Sequence, residues 1–220
     1  MRWLQGLPTR RIVGVTGSAR MAKAVAEAAA PPRPQDRMVV GNWTDPGLLG
    51  TERFDVVLAD YLFGAVEGFA PYTQDLMAAR LRRHCAGRLY VTAIAPYVPG
   101  PAPRSEAGRL VWRLSRLRDA CLMLAGEQPY REFPLDWMLR QLDRAGFRVV
   151  ASRRFPIRFG ARFVEAQAGM IRDRIGRIPD ASLRFALLAH AEALREEALE
   201  AVERLGRLRH GEDYVVAAEV

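Results

Sequence analysis

Residues Ile12 to Glu27, Ile-Val-Gly-Val-Thr-Gly-Ser-Ala-Arg-Met-Ala-Lys-Ala-Val-Ala-Glu, constrain the fold more than any other stretch. Ile12, Val13 and Val15 make a short apolar run of the kind a buried parallel strand requires. Gly17-Ser18 breaks it, and Ser18 is a good N-cap because its oxygen accepts from a free N–H of the first helical turn. From Arg20 to Ala30 the residues are strong helix formers. The stretch predicts strand, tight turn and helix, with backbone N–H groups aimed over the turn.

The same alternation continues along the chain. After the breaker cluster Pro31-Pro32-Arg33-Pro34, Met38 to Gly41 predicts a second strand that ends at Asn42-Trp43. Phe54 to Ala59 predicts a third, with Asp60 and Tyr61 at its carboxyl end. A loop with Gly64 and Gly68 leads to a helix capped by Thr73 and ended by Gly87, and Arg88 to Ala95 is a fourth strand. Ser105 to Ala125 is amphipathic, with Leu110, Leu114, Leu117, Cys121 and Leu124 at three- and four-residue steps. Pro134 opens a helix that Gly146 closes. Phe147 to Ser152 reads as a strand, 161–177 and 181–209 as helices, and Tyr214 to Glu219 as a last strand. Two short pieces stand outside this pattern: residues 2–7 look like the tail of a helix, and Pro8 stops it. Strands alternating with helices indicate α/β architecture with a parallel sheet covered on both faces.

Composition narrows the function classes. At 220 residues the chain reads as a single domain, 1–220. No apolar stretch reaches membrane-spanning length, and nothing at Met1-Arg2-Trp3 resembles a signal peptide, so the cytoplasm is the expected location. The net charge of +8 invites a nucleic-acid reading. However, Lys23 is the only lysine among the 33 basic residues, and the arginines are scattered among acids over 192–213, which argues against it. Cys85 and Cys121 lack metal-ligand spacing, and His84, His190 and His210 have no partner ligands, so no metal site is expected.

Taken in order, these motifs make the chain resemble a class I S-adenosylmethionine-dependent methyltransferase. Ile12-Val-Gly-Val-Thr-Gly-Ser-Ala-Arg-Met21 is similar to that family's second strand, Val-Val-Gly-Val-Asp-x-Ser-x-x-Met. Gly41-Asn42, Phe54-Asp-Val-Val57 through Asp60, Gly87-Arg-Leu-Tyr-Val91 and Ala145-Gly-Phe147 match its later strands. The resemblance implies a Rossmann-like, mostly parallel sheet with helices on both faces and an antiparallel last strand. It leaves two helical cap insertions, about 97–133 and 156–212. The implied cofactor is S-adenosylmethionine. Thr16, Gly17, Ser18 and Met21 would flank its ribose and adenine, Asn42 and Trp43 the adenine edge and face, and Asp60 and Tyr61 the methyl-transfer side. Each also has a plain structural role: Thr16 and Ser18 end a strand and cap a helix, while Met21 and Trp43 suit a core.

Two departures accompany the match. No segment before residue 12 supplies the family's first strand and its glycine loop, so the chain looks like a member lacking that strand. Thr16 stands where the family carries a ribose-gripping carboxylate, and Asn42 where it often carries an aspartate, which forgoes the charge-assisted contact.

Methyl transfer from a sulfonium relies mainly on positioning in a water-poor pocket. An alcohol or phenol acceptor would also need a base, for which Asp60, Glu67, Tyr72 and His84 are the nearby candidates. Both insertions are expected over the cleft, which suits an enclosed small-molecule acceptor. Arg153, Arg154, Arg158 and Arg162 at the base of the second offer charge to an anionic acceptor. The long helices 105–125 and 181–209 offer a dimer seam. The alternative function is a catalytically silent methyltransferase-like binding or partner protein. A nicotinamide-dependent reductase is a third reading, but it lacks the Tyr-x-x-x-Lys that chemistry uses.

Overall fold

A computed structural model describes residues 2–28 and 33–220. The expected end of the second helix at Ala30 and the Pro31-Pro32 break lie outside the described residues. The chain groups into two compact units, Met1–Glu52 and Arg53–Val220.

The first unit holds α1 (Arg2–Gln5), β1 (Val13–Thr16), α2 (Ala19–Ala28) and β2 (Arg37–Val40). β1 and β2 pair in parallel, from Val13 opposite Arg37 to Thr16 opposite Val40. Asp36 fixes this register, because it accepts from the Ile12 N–H at 2.7 Å and from Arg33 Nε at 2.9 Å. Arg33 in turn reaches the Thr9 carbonyl, which ties the entry to β1 to the entry to β2.

The second unit runs β3 (Phe54–Asp60), α3 (Leu62–Ala65), a 3-10 turn (Val66–Gly68), α4 (Gln74–His84) and β4 (Cys85–Ile94). It continues with α5 (Glu106–Leu124), α6 (Leu135–Arg144), β5 (Arg148–Phe159), α7 (Ala161–Ile175), α8 (Ala181–Leu205) and β6 (Leu208–Glu219). Its sheet has the order β3-β4-β6-β5. β3 and β4 are parallel, and β6 runs antiparallel to both β4 and β5. The α/β class and the antiparallel last strand expected from the sequence are both present. Among the described residues, β1 pairs only with β2, and β3 only with β4.

Alternation along the strands selects the buried face. Leu89 and Val91 of β4 and Tyr214, Val216 and Ala218 of β6 are fully buried, and as register partners they share one side of the sheet. α4 lies against β3 and β4 and α6 against β5, and the two helices contribute Met77, Ala78, Leu81, Met138 and Leu142 to the core.

Three local expectations need correction. Thr73 stands at the N-cap of α4, but its hydroxyl donates to the Ala70 carbonyl and does not cap. Gly87 does not end that helix: the chain passes straight from His84 into β4, and Gly87 lies within the strand. A Cβ at Gly87 would sit 2.7 Å from the Asp55 carbonyl oxygen, so only glycine allows β3 this close at its irregular start. The glycine-rich loop after Asp60 is itself largely helical.

β5 and β6 are longer than the sequence suggests. β4 stops opposite Asp213, whereas β5–β6 pairing continues to Phe159 opposite Leu208. This leaves a two-stranded arm, Pro156–Phe159 with Leu208–Glu212. On it sits a bundle of α5, α7 and α8, whose Leu110, Leu114, Val164, Leu194 and Ala198 form one buried cluster with Leu208. β5 runs in the same direction as β3 and β4. The chain therefore leaves β4 toward α5, and β5 toward α7 and α8, at the carboxyl end of the parallel strands.

Candidate active site

Parallel register aligns the carboxyl ends of β1 and β2 in the first unit. Thr16 to Ser18 therefore lie beside Gly41 to Trp43, and the Gly41 N–H donates to the Thr16 carbonyl at 3.0 Å. Their polar groups serve the turns. Thr16 Oγ1 accepts from the Ser18 N–H at 3.2 Å, and Ser18 Oγ accepts from the Met21 N–H at 3.2 Å, which caps α2. Asn42 Oδ1 accepts from the Thr44 N–H at 3.0 Å. Met21 is 55% exposed and leaves apolar surface at the start of the helix.

A different arrangement stands at the end of β3 in the second unit. Asp60 Oδ1 accepts from Thr92 Oγ1 at 2.6 Å. The next residue, Tyr61, turns the chain into α3 with φ 49 and ψ 20, a left-handed conformation uncommon for a bulky side chain. Its N–H donates to the Thr92 carbonyl at 3.0 Å and approaches Thr92 Oγ1 at 3.1 Å. That turn points the phenol across the sheet, where it donates to Asp213 Oδ1 at 3.0 Å. Asp60, Thr92, Tyr61 and Asp213 thus form one hydrogen-bonded chain across β3, β4 and β6. Burial, reinforced by the Asp213 charge, pushes the Tyr61 phenol up to about 12, so at neutral pH it is a donor and not a base. Burial also raises the Asp213 carboxyl, against the pull of the Tyr61 hydrogen bond.

Glu132, in the loop before α6, lies within electrostatic reach of Asp213 and is not evident from sequence. Burial pushes its carboxyl up to about 7; Arg118 and the Tyr97 N–H draw it down, while Asp119 and Asp213 raise it. The loop is held by its neighbours: the Tyr214 hydroxyl donates to the Phe133 carbonyl at 2.8 Å, and Phe133 stacks on Trp137 at 4.1 Å. Beside it, Arg118 bridges Asp119 and Gln167 Oε1, each at 2.7 Å. A carboxyl poised near neutrality is what a general base at physiological pH needs.

The other sequence candidates sit elsewhere in this unit. Glu67 is 2% exposed, accepts from Gln74 and pairs with Arg131 at 3.4 Å. Tyr72 is 78% exposed, with Arg131 over its ring at 5.9 Å. His84 is buried at the end of α4. Among the described residues, no group of three or more His, Cys, Asp or Glu is placed to hold a metal ion, and no helix is long and apolar enough to cross a membrane. A cleft of ≈ 360 Å³ opens at the opposite, amino end of β3 and β4, beside Asp55, Gly87 and the Arg88–Glu219 pair. Ligands of open α/β sheets bind outside the carboxyl ends of the strands, so the Asp60–Asp213 end is the candidate site.

No family model matches the chain, and no curated protein matches it. Solved structures do. A protein of Bacillus halodurans assigned as a methyltransferase superposes with a TM-score of 0.55 at 16% identity, over 96% of this chain and 83% of that one. A cyclopropane-fatty-acyl-phospholipid synthase-like protein of Lactobacillus casei gives 0.55 at 11% identity, over 100% and 87%. A mycolic acid cyclopropane synthase complexed with SAH gives 0.51 at 14% identity, over 96% and 70%. The chain has the fold of the class I S-adenosylmethionine-dependent methyltransferases.

Proposed function

We propose that the protein transfers a methyl group from S-adenosylmethionine to a small-molecule acceptor. The observation that carries this reading is the hydrogen-bonded chain Asp60–Thr92–Tyr61–Asp213 at the carboxyl ends of β3 and β4. The likeness to a synthase complexed with SAH supports the choice of cofactor.

The residues at the ends of β1 and β2 fit the adenosine half of the cofactor in kind. Thr16 retains a hydroxyl proton for a ribose oxygen, Trp43 offers an aromatic face, and Met21 offers exposed apolar surface. With Gly17, Ser18 and Asn42 they are the proposed cofactor-binding set, and Asp60 serves the methyl-transfer side. The fit is weaker than a carboxylate would give, because Thr16 makes no charge-assisted hydrogen bond. When bound, the cofactor supplies an electrophilic methyl group on a positively charged sulfur.

The protein's own part is to bind and to move a proton. Tyr61, fixed by Thr92 and with its proton committed to Asp213, offers its phenol oxygen as a hydrogen-bond acceptor that orients the substrate. Glu132 would take the proton that an O–H or N–H acceptor gives up as it is methylated. The cap of α5, α7 and α8 limits water at the mouth. Both cysteines are buried free thiols, which suits a cytoplasmic protein.

Calorimetry with S-adenosylhomocysteine tests the reading directly. Saturable binding is the expected result, and no heat at about millimolar ligand overturns it.

A further inference from the structure

The β5–β6 arm carries positive charge that its neighbours do not answer. Arg158 and Arg209 are register partners in the antiparallel ladder, so their side chains leave the same face directly opposite one another. Both are exposed, and neither has a hydrogen-bond or ion-pair partner among the described residues. Like charges in that position weaken a sheet. The Arg207 guanidinium comes to the same place by lying against the backbone at Gly160, 3.1 Å from where a Cβ would stand. Arg162, two residues further on, is also exposed and unpaired.

The helices above the arm are built differently. There Arg113, Arg172, Arg195 and Arg204 are ion-paired with Glu197, Glu192, Glu165 and Glu106. Four guanidinium groups on residues 158–162 and 207–209 therefore lack counter-charge, where Arg113, Arg172, Arg195 and Arg204 have it. The arm's apolar side chains do not share their face. Phe155, Ile157 and Phe159 leave the other side, where Phe159 lies against Tyr97 and Phe163. The arginine face thus has no aromatic platform for stacking bases and no apolar wedge for a lipid layer, and it is only a few residues long.

We propose that Arg158 and Arg209, flanked by Arg162 and Arg207, bind a small phosphate-bearing ligand of more than one negative charge. Two facing guanidinium groups match the oxygens of a phosphate or diphosphate, each donating a forked pair of N–H bonds. The site lies on the face of the ladder opposite Asp213 and stands independently of the methyl-transfer reading.

Pyrophosphate is the probe, titrated calorimetrically into the full chain at low ionic strength. Saturable binding is expected, weakened about tenfold or more in Arg158→Gln and in Arg209→Gln and unchanged in Arg140→Gln, an exposed arginine elsewhere. Arg209→Glu should abolish binding and raise Tm, because it replaces a repulsive cross-strand pair with an attractive one. The proposal is overturned by an absence of heat at about 5 mM pyrophosphate or by an equal loss in Arg140→Gln. It is also overturned by a fall of Tm in both glutamine variants, which would make the arginines structural. Arginine-dependent binding of single-stranded DNA or anionic vesicles in place of pyrophosphate overturns it in favour of a polymeric or lipid partner.

Discussion

The strand ends of the two units are alike in backbone and opposite in wiring. In the first unit, Thr16, Ser18 and Asn42 bond to N–H groups two or three residues away, so each side chain completes the turn it stands on. In the second, Asp60 and Thr92 are joined across 32 positions and Tyr61 and Asp213 across 152. A locally closed turn keeps its shape whatever happens elsewhere. A cross-strand chain holds its geometry only while the whole sheet is assembled, and it can present the half-buried Asp213, its carboxyl raised by burial, to a reactant. In the proposed function the first kind of strand end binds and the second moves a proton.

The largest effect that sharpens this contrast is expected from Glu132→Gln. Removing a general base should slow methyl transfer to an O–H or N–H acceptor by about 10²–10⁴-fold. It should also abolish the rise of rate with pH centred near 7, where the Glu132 carboxyl loses its proton. The sign for stability is opposite. The fold raises this carboxyl, so its contribution is fully present below the ordinary glutamate range and is lost as pH rises through about 7. The variant should therefore gain in Tm relative to the parent at pH 8 and not at pH 4. A variant with full activity at all pH values would break the contrast.

Next in size is Tyr214→Phe, which leaves the Phe133 carbonyl without its donor in a buried setting. A loss of about 1–3 kcal/mol in denaturant unfolding is expected, together with looser holding of Glu132. The smallest effect is expected from Ser18→Ala. Loss of one cap on an exposed turn should cost about 1 kcal/mol. Chemical denaturation followed by tryptophan fluorescence would rank the two.

What could be read from the sequence follows the same division. The Ser18 and Ser105 caps and the Gly146 helix end, with φ 80, are set by residues within one turn of each other, and periodicity located them. The strand pattern at Ile12, Phe54 and Leu89 was legible for the same reason. Glu132 was not, because nothing near Tyr130-Arg-Glu-Phe-Pro134 announces that the loop folds beside Asp213 and Tyr97. The arm was hidden by a boundary: Gly206, at φ 74, ends α8 and lets Leu208 enter β6, where a continuing helix was expected to 209. Glu67 illustrates the converse, because its position near Asp60 in sequence suggested chemistry while its carboxylate is engaged by Gln74 and Arg131.

The order β3-β4-β6-β5 has a consequence for how the molecule comes into being. β6, one of the two interior strands of this sheet, is the last of its four to be synthesised, and it separates β4 from β5, both made before it. Until β6 emerges from the ribosome, β4 and β5 each expose an open edge, and the partner of the Tyr61 phenol does not yet exist. Completion of the sheet and completion of the Tyr61–Asp213 pair are thus the same event. A nascent chain halted at residue 207 has its helices and no finished site.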